Sequence, residues 1–142
     1  MNMPQLDDFI CFSLYSANHA MNRVYKPLLE PLGLTYPQYL AMVALWKKDH
    51  QTVGEIGETL QLETNTLTPL LKRLETAGHV ERKRSKSDER QVIISLTAEG
   101  KALKNRSKDI AQCVFTATGL HEDELKELQA KIALLTKRLR AP

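Results

Sequence analysis

Two cysteines in 142 residues are too few to staple a small domain. Disulfides are therefore not what folds this chain, and reduced thiols are expected. Long apolar runs are missing too: nowhere do about 20 consecutive apolar residues occur, the length a membrane-spanning helix needs. The leading segment is polar and turns acidic at Asp7 and Asp8, unlike the basic-then-apolar start of a secretory signal. These absences predict a cytoplasmic chain with no membrane partner. The four histidines, His19, His50, His79 and His121, show no ligand spacing with one another or with the cysteines, so no metal is expected. Phosphate-cradling glycine loops, nucleophile elbows and paired carboxylates are missing as well, which speaks against an enzyme and against a cofactor.

What is present is enough for a core. Apolar residues make up 42% of the chain, and the length fits one domain, residues 1–142. The net charge is only +3, but it is unevenly spread. Residues 1–71 carry four Lys/Arg against seven Asp/Glu, residues 72–108 carry eleven against five, and residues 109–142 carry five of each. Positive charge thus gathers in the middle of the chain, as expected of a face that meets phosphate; an ordinary solvated surface has the same composition.

Apolar periodicity predicts a long first helix over residues 5–30, on Leu6, Phe9, Ile10, Leu14, Ala17, Met21, Val24 and Leu28. Pro27 should kink or end it, and Pro31-Leu32-Gly33 should turn the chain. Thr35 reads as the cap of a second helix, residues 36–47, with Pro37 just inside. A short helix over 53–60, a turn at 61–63 and a helix over 64–77 closed by Gly78 follow. Residues 79–84 and 91–96 read as strands around the polar loop 85–90. Thr97 starts a helix expected to run to about Thr118. In the last helix, residues 122–140, Leu125, Leu128, Ile132, Leu135 and Leu139 form a heptad seam that needs a partner helix. The fold class is therefore mainly α with a small β-hairpin. Residues 36–100 form a winged helix-turn-helix, and residues 5–35 and 109–142 form a helical dimerisation region.

Two constellations carry chemistry. In the 64–77 helix, Leu67, Leu70, Leu71 and Leu74 share one face, which turns Asn65, Thr68, Pro69, Lys72, Arg73 and Thr76 outward. That polar, cationic face suits a major groove, although any amphipathic helix has such a stripe. The hairpin adds Arg82, Lys83, Arg84 and Lys86 before its turn and Arg90 after it. An arginine at the tip suits a narrow minor groove, and Asp88 is spaced to orient the Arg90 guanidinium by a bidentate bond. A helix-turn-helix followed by a basic wing is more specific than either part.

The run Thr66-Leu67-Thr68-Pro69-Leu70-Leu71-Lys72-Arg73-Leu74-Glu75-Thr76-Ala77-Gly78, followed by Arg82-Lys83-Arg84-Ser85-Lys86-Ser87-Asp88-Glu89-Arg90, resembles the recognition helix and wing of the multiple-antibiotic-resistance regulator (MarR) family. The Asp88-x-Arg90 pair matches that family's wing motif. The resemblance covers almost the whole chain. It implies a homodimeric repressor acting on pseudo-palindromic double-stranded DNA through Asn65, Thr66, Thr68, Pro69, Lys72, Arg73, Arg84, Ser85, Lys86, Asp88 and Arg90.

The segments Cys11-Phe12-Ser13-Leu14-Tyr15-Ser16-Ala17, Tyr25-Lys26-Pro27-Leu28-Leu29 and Gly33-Leu34-Thr35-Tyr36-Pro37-Gln38-Tyr39 are similar to the organic hydroperoxide repressor branch of that family. The resemblance implies that Cys11 is the peroxidatic thiol, that organic hydroperoxide is the inducer, and that tyrosines at Tyr25 and Tyr36 donate to the sulfur, some across the dimer. Tyr15 joins them as a candidate donor. Asp7 and Asp8, four and three residues before Cys11 on the same helical face, disfavour a thiolate, so activation falls to the tyrosines. Cys113 suits a resolving cysteine by rough position; a small cellular thiol is the alternative. The resemblance also implies a detoxifying peroxidase as the target gene. Three other readings remain open: a repressor released by a small aromatic or lipophilic ligand while Cys11 only packs, a thiol peroxidase, and a dimeric adaptor that does not bind DNA.

Overall fold

The computed structural model describes residues 3–142; Met1 and Asn2, the start of the polar leading segment, lie outside them. Seven α-helices and three short strands are present among these residues: α1 (Ile10–Leu29), α2 (Tyr36–Lys47), β1 (Gln51–Thr52), α3 (Val53–Leu60), α4 (Thr64–Thr76), β2 (Val80–Arg84), β3 (Val92–Leu96), α5 (Ala98–Ser107), α6 (Ile110–Ala117) and α7 (Glu122–Arg140).

The first helix starts later than its apolar periodicity suggests. Leu6–Asp8 is a separate 3-10 turn, and Phe9 is extended, with φ −92° and ψ 116°. The Asp8 carboxylate accepts the backbone N–H of Gln5 at 2.9 Å, which stabilises this tight turn. Pro27 stays inside α1, and the helix ends two residues later, passing through a 3-10 turn, Glu30–Leu32, to Gly33 at φ 68°. The Thr35 hydroxyl accepts the N–H of Gln38 at 3.3 Å, and the Gln38 side chain accepts the N–H of Thr35 at 3.0 Å. This reciprocal capping box satisfies two otherwise unpaired donors and fixes the start of α2.

The helix-turn-helix is α3 and α4. Between them Gln61 adopts a left-handed conformation, φ 57°. Helix α4 ends at Gly78, φ 86°, where the His79 N–H returns to the Leu74 carbonyl at 3.0 Å. That is the Schellman closure a left-handed glycine permits. Strands β2 and β3 pair antiparallel from Val80↔Leu96 to Arg84↔Val92.

A third strand, β1, pairs with β3. Two residues are too short to show alternation, so the sequence pattern is silent about it. The strand is anchored by Gln51, whose buried amide donates to the carbonyls of Ala44 and Lys48 at 3.0 and 2.6 Å.

The core centres on the winged helix-turn-helix and extends to α1, α5 and α6 through Leu29, Leu103, Ile110 and Val114. Leu29, Met42, Leu45, Ile56, Leu67, Leu71, Leu74, Val80 and Ile94 are its fully buried large residues. Trp46 donates to the Gly100 carbonyl at 2.9 Å and ties α2 to α5.

The helix expected from Thr97 to Thr118 is broken into α5 and α6 at Lys108–Asp109. The Ser107 hydroxyl donates back to the Lys104 carbonyl at 2.9 Å, and such side-chain competition for helix carbonyls bends helices. Helix α6 then packs on α1. Helix α7 has no buried residue, and Leu128, Ile132, Leu134 and Leu139 are exposed along it. On α1, Ile10, Tyr15 and Met21 are exposed as well, with Leu6 and Phe9 just before it. The apolar surface at both chain ends is therefore uncovered within one chain.

Candidate functional site

The surface expected to meet DNA is built on α4. Leu67, Leu70, Leu71 and Leu74 are buried. This anchors the helix so that Asn65, Thr66, Pro69, Lys72, Arg73 and Thr76 stand exposed, with Thr68 half-buried at the edge. Pro69 lies inside the helix and has no N–H, so the Asn65 carbonyl lacks its helical donor on the exposed side.

The wing is held by its own side chains. The Ser85 N–H donates to the Gln91 carbonyl at 2.8 Å. The Ser85 hydroxyl is buried and accepts the N–H groups of Ser87 and Asp88, each at 3.3 Å. Arg84 donates through Nη1 to the Glu89 carbonyl at 2.8 Å, across the tip. Asp88 Oδ1 accepts both the backbone N–H and the Nε–H of Arg90, at 3.0 and 3.3 Å. That is one oxygen with two donors, rather than the bidentate carboxylate–guanidinium pair that the spacing allows. It orients the guanidinium while its side chain stays 93% exposed. Lys86 is exposed beside it. Arg82, one of the cations before the turn, lies at the wing's base, half-buried and facing Glu75 of α4.

The residues expected to act in sensing fall into separate places within one chain. Tyr25 and Tyr36 face each other with ring centroids 4.7 Å apart, and Tyr39 lies 5.9 Å from Tyr25. Burial pushes all three phenols above their ordinary pKa; for Tyr25 the neighbouring phenols add to the effect. Tyr25 and Tyr36 line an open cavity of about 540 Å³ with Asn22, Leu29, Leu34 and Pro37. The Asn22 Oδ1 atom is buried there without a hydrogen-bond partner.

Cys11 is exposed and does not line that cavity. It shares α1 with Tyr25, and their sequence separation of 14 residues sets them roughly 21 Å apart along the helix axis at 1.5 Å per residue. A thiol cannot reach a phenol on the same straight helix at that distance. Tyr15, one turn from Cys11, stacks on His19 at 5.9 Å and is exposed.

The late start of α1 also changes the surroundings of Cys11. It is the second residue of the helix, and the first helical N–H to find a carbonyl is that of Ser13, on Phe9. The unpaired N–H groups of the first turn form the helix end that favours an anion. Asp7 and Asp8 belong to the preceding turn, not to the face of α1. Cys113, on α6, is exposed in a shallow cavity with Pro27, Leu28, Pro31, Arg106 and Asp109.

The family described as transcriptional regulator SarA/Rot matches residues 23–107. An organic hydroperoxide resistance transcriptional regulator of Bacillus subtilis (strain 168) is 43% identical, over 95% of this chain and 92% of that protein. This chain is a member of the MarR family, in its organic hydroperoxide resistance branch.

MarR-family membership makes it a DNA-binding transcription regulator rather than an enzyme. Four solved structures of another regulator, AbfR, are similar to it; the crystal structure of AbfR of Staphylococcus epidermidis is 39% identical, with a TM-score of 0.77 over 94% of this chain and 92% of that one. The reduced form bound to DNA is 37% identical and superposes with a TM-score of 0.79 over 96% of this chain and 95% of that one. The overoxidised form bound to DNA is 36% identical and gives 0.78 over 94% of each. The disulfide-formed structure, also 36% identical, gives 0.62 over 95% and 90%. The winged helix-turn-helix expected from sequence is therefore the family's fold. No helix among the described residues is long and apolar enough to cross a membrane.

Proposed function

We propose that this chain is a cytoplasmic homodimeric repressor that reads a pseudo-palindromic operator in its reduced state and releases it on oxidation of Cys11 by an organic hydroperoxide. The observation that carries the reading is the separation of Cys11 from Tyr25 on one straight helix. A thiol and phenols that act together from those positions need two copies, with the Cys11 of one protomer meeting the tyrosine cavity of its partner. The uncovered apolar surface at the chain ends, on α7 and around α1, supports the same pairing.

In this reading DNA is held by Asn65, Thr66, Thr68, Pro69, Lys72 and Arg73 of α4 in the major groove. Lys86 and Arg90 of the wing reach the minor groove. Asp88 orients Arg90, and Arg84 and Ser85 brace the tip. Two such units bind half-sites about one helical turn apart, roughly 34 Å.

The Cys11 thiolate attacks the hydroperoxide, the O–O bond breaks, and the second oxygen leaves as alkoxide, which takes a proton from water to become the alcohol. The sulfur is left as sulfenic acid. The Tyr25 and Tyr36 hydroxyls, kept protonated by burial, donate to the thiolate and to the departing oxygen. Cys113 of the partner then attacks the sulfenic sulfur, and water leaves as the disulfide forms. Among the AbfR structures the overoxidised form is bound to DNA, and the disulfide-formed structure departs furthest from the present conformation. That contrast favours the disulfide, rather than charge on the sulfur, as the releasing event.

The cavity supports a second reading, in which a lipophilic ligand fills it and Cys11 only packs. One experiment separates the two. The Cys11→Ser protein should bind the operator and stay bound when organic hydroperoxide is added. Release of that variant by hydroperoxide would remove Cys11 from the sensing role, and release by a lipophilic non-oxidant would favour the ligand.

A further inference from the structure

We propose that Arg82 is a positioning residue for DNA recognition, and that its ion pair with Glu75 fixes the angle between α4 and the wing. The inference rests on the roles proposed above for α4 and the wing. Among the wing cations Arg82 stands apart. The side chains of Lys83 and Arg90 are 81% and 93% exposed, whereas that of Arg82 is 18% exposed. In β2, Val80 is buried, Glu81 exposed and Arg82 half-buried, so Arg82 shares the core-facing side of the strand with Val80. Its register partner across the ladder is Ile94, which is fully buried.

From that side its guanidinium reaches toward α4. Nη1 lies 4.0 Å from Glu75 Oε1, and Nε is buried without a partner. The two ends of this pair lie on the two elements that meet DNA. Neither end is explained by its own element. Glu75 occupies the last turn of α4, where a carboxylate opposes the helix dipole. Beside a DNA-facing surface it also repels phosphate. An acid there is unfavourable for the helix and for non-specific binding, and favourable for holding Arg82. Arg82, turned inward, is withdrawn from the phosphates that Lys86 and Arg90 can reach. The pair therefore links the depth of α4 in the major groove to the reach of the wing into the minor groove, and its contribution is to register rather than to bulk attraction.

The sign of the effect tests this. The probes are a duplex selected by the wild-type dimer from a randomised pool and a scrambled duplex of the same composition. Affinities are measured across a salt series, with thermal melting to check folding. Glu75→Gln should lower the preference for the selected duplex about tenfold, within the range of measured coupling between neighbouring side chains. The salt dependence should not change. Arg82→Gln should cause the same loss, the double variant should lose no more than either single one, and Arg82→Lys should recover most of the preference. Tighter binding of Glu75→Gln to both duplexes would overturn the proposal, because the acid would then only repel DNA. A salt slope reduced by about one in Arg82→Gln would also overturn it, since that marks a lost phosphate contact. If Arg82→Gln does not fold, the sign of the Glu75→Gln effect decides alone. A wild-type protein with no preference for its own selected duplex would instead defeat the reading of α4 and the wing on which the pair depends.

Discussion

The rings of Tyr25 and Tyr36 lie 4.7 Å apart at an interplanar angle of 45°. They come from the end of α1 and the start of α2, folded together by the turn that ends at Gly33. Both line the same cavity, so two phenolic donors converge on a space that one chain leaves open.

If that convergence serves the thiol of a partner protomer, Tyr36→Phe should slow operator release by organic hydroperoxide. It should leave the affinity of the reduced dimer for DNA unchanged, because Tyr36 lies on neither α4 nor the wing. The rate of release followed by fluorescence anisotropy after a hydroperoxide pulse checks this. An unchanged rate would remove Tyr36 from the sensing step.

The same burial predicts an alkaline weakness. Tyr25, Tyr36 and Tyr39 have pKa values raised above the ordinary value of 10.0, chiefly by desolvation. Above that value the unfolded chain loses these protons first, so the native state binds more protons than the unfolded one. Stability should therefore fall as pH rises past about 10 and on through the higher native values. Melting temperatures between pH 8 and 11 should show the decline, and Tyr25→Phe should make it shallower.

Much of this arrangement was legible in the sequence, where local chemistry acts locally. Thr35 with Gln38, Gly78 after α4 and the leucine face of α4 each fix an element through neighbours a few residues away, and each lies where its pattern puts it. The misses have a different cause. The break at Lys108–Asp109 follows Ser107, whose hydroxyl turns back to the Lys104 carbonyl, a choice that apolar periodicity does not record. The late start of α1 depends on Asp8 bonding Gln5, while the apolar spacing of Leu6, Phe9 and Ile10 runs on unbroken. Gln51 and Arg82 look like surface residues by type, and their burial is decided by elements far along the chain. The proposed sensing residues are legible as types only, since Cys11 and Tyr25 lie too far apart on one helix to meet within a protomer.

Arg90 should be a direct DNA contact. Asp88 aims its guanidinium outward without burying it. Arg90→Ala should cost roughly 1–3 kcal/mol of operator affinity if the guanidinium enters the minor groove. Asp88→Asn should cost less, because it loosens the side chain without removing it. Equal affinities of wild type and Arg90→Ala at physiological salt would assign the wing tip no contact of its own.

The seam on α7 should hold the dimer. Leu128 is exposed and Leu135 half-buried in the single chain. Burying an apolar side chain against a partner is worth about 1.5–3 kcal/mol, and a charge there reverses the sign. The double variant Leu128→Glu with Leu135→Glu should sediment as a monomer or fail to fold. A folded, dimeric double variant would place the interface elsewhere.

Cys113 gives the sharpest separation between oxidation and release. In Cys113→Ser, Cys11 should still react with hydroperoxide and pass to sulfenic and then higher acids, since no partner thiol intercepts it. Intact mass should therefore rise by whole oxygen atoms, and non-reducing electrophoresis should show no crosslinked dimer. If the disulfide is what moves the two winged units out of register, this oxidised variant should remain on DNA. The wild-type protein treated alongside should crosslink and dissociate. A small thiol added to the variant supplies the remaining control: release on adding it would mean that capping Cys11 is sufficient and that the bond to Cys113 is only one way to do so. Release of oxidised Cys113→Ser without any added thiol would show that the change at Cys11 alone opens the repressor.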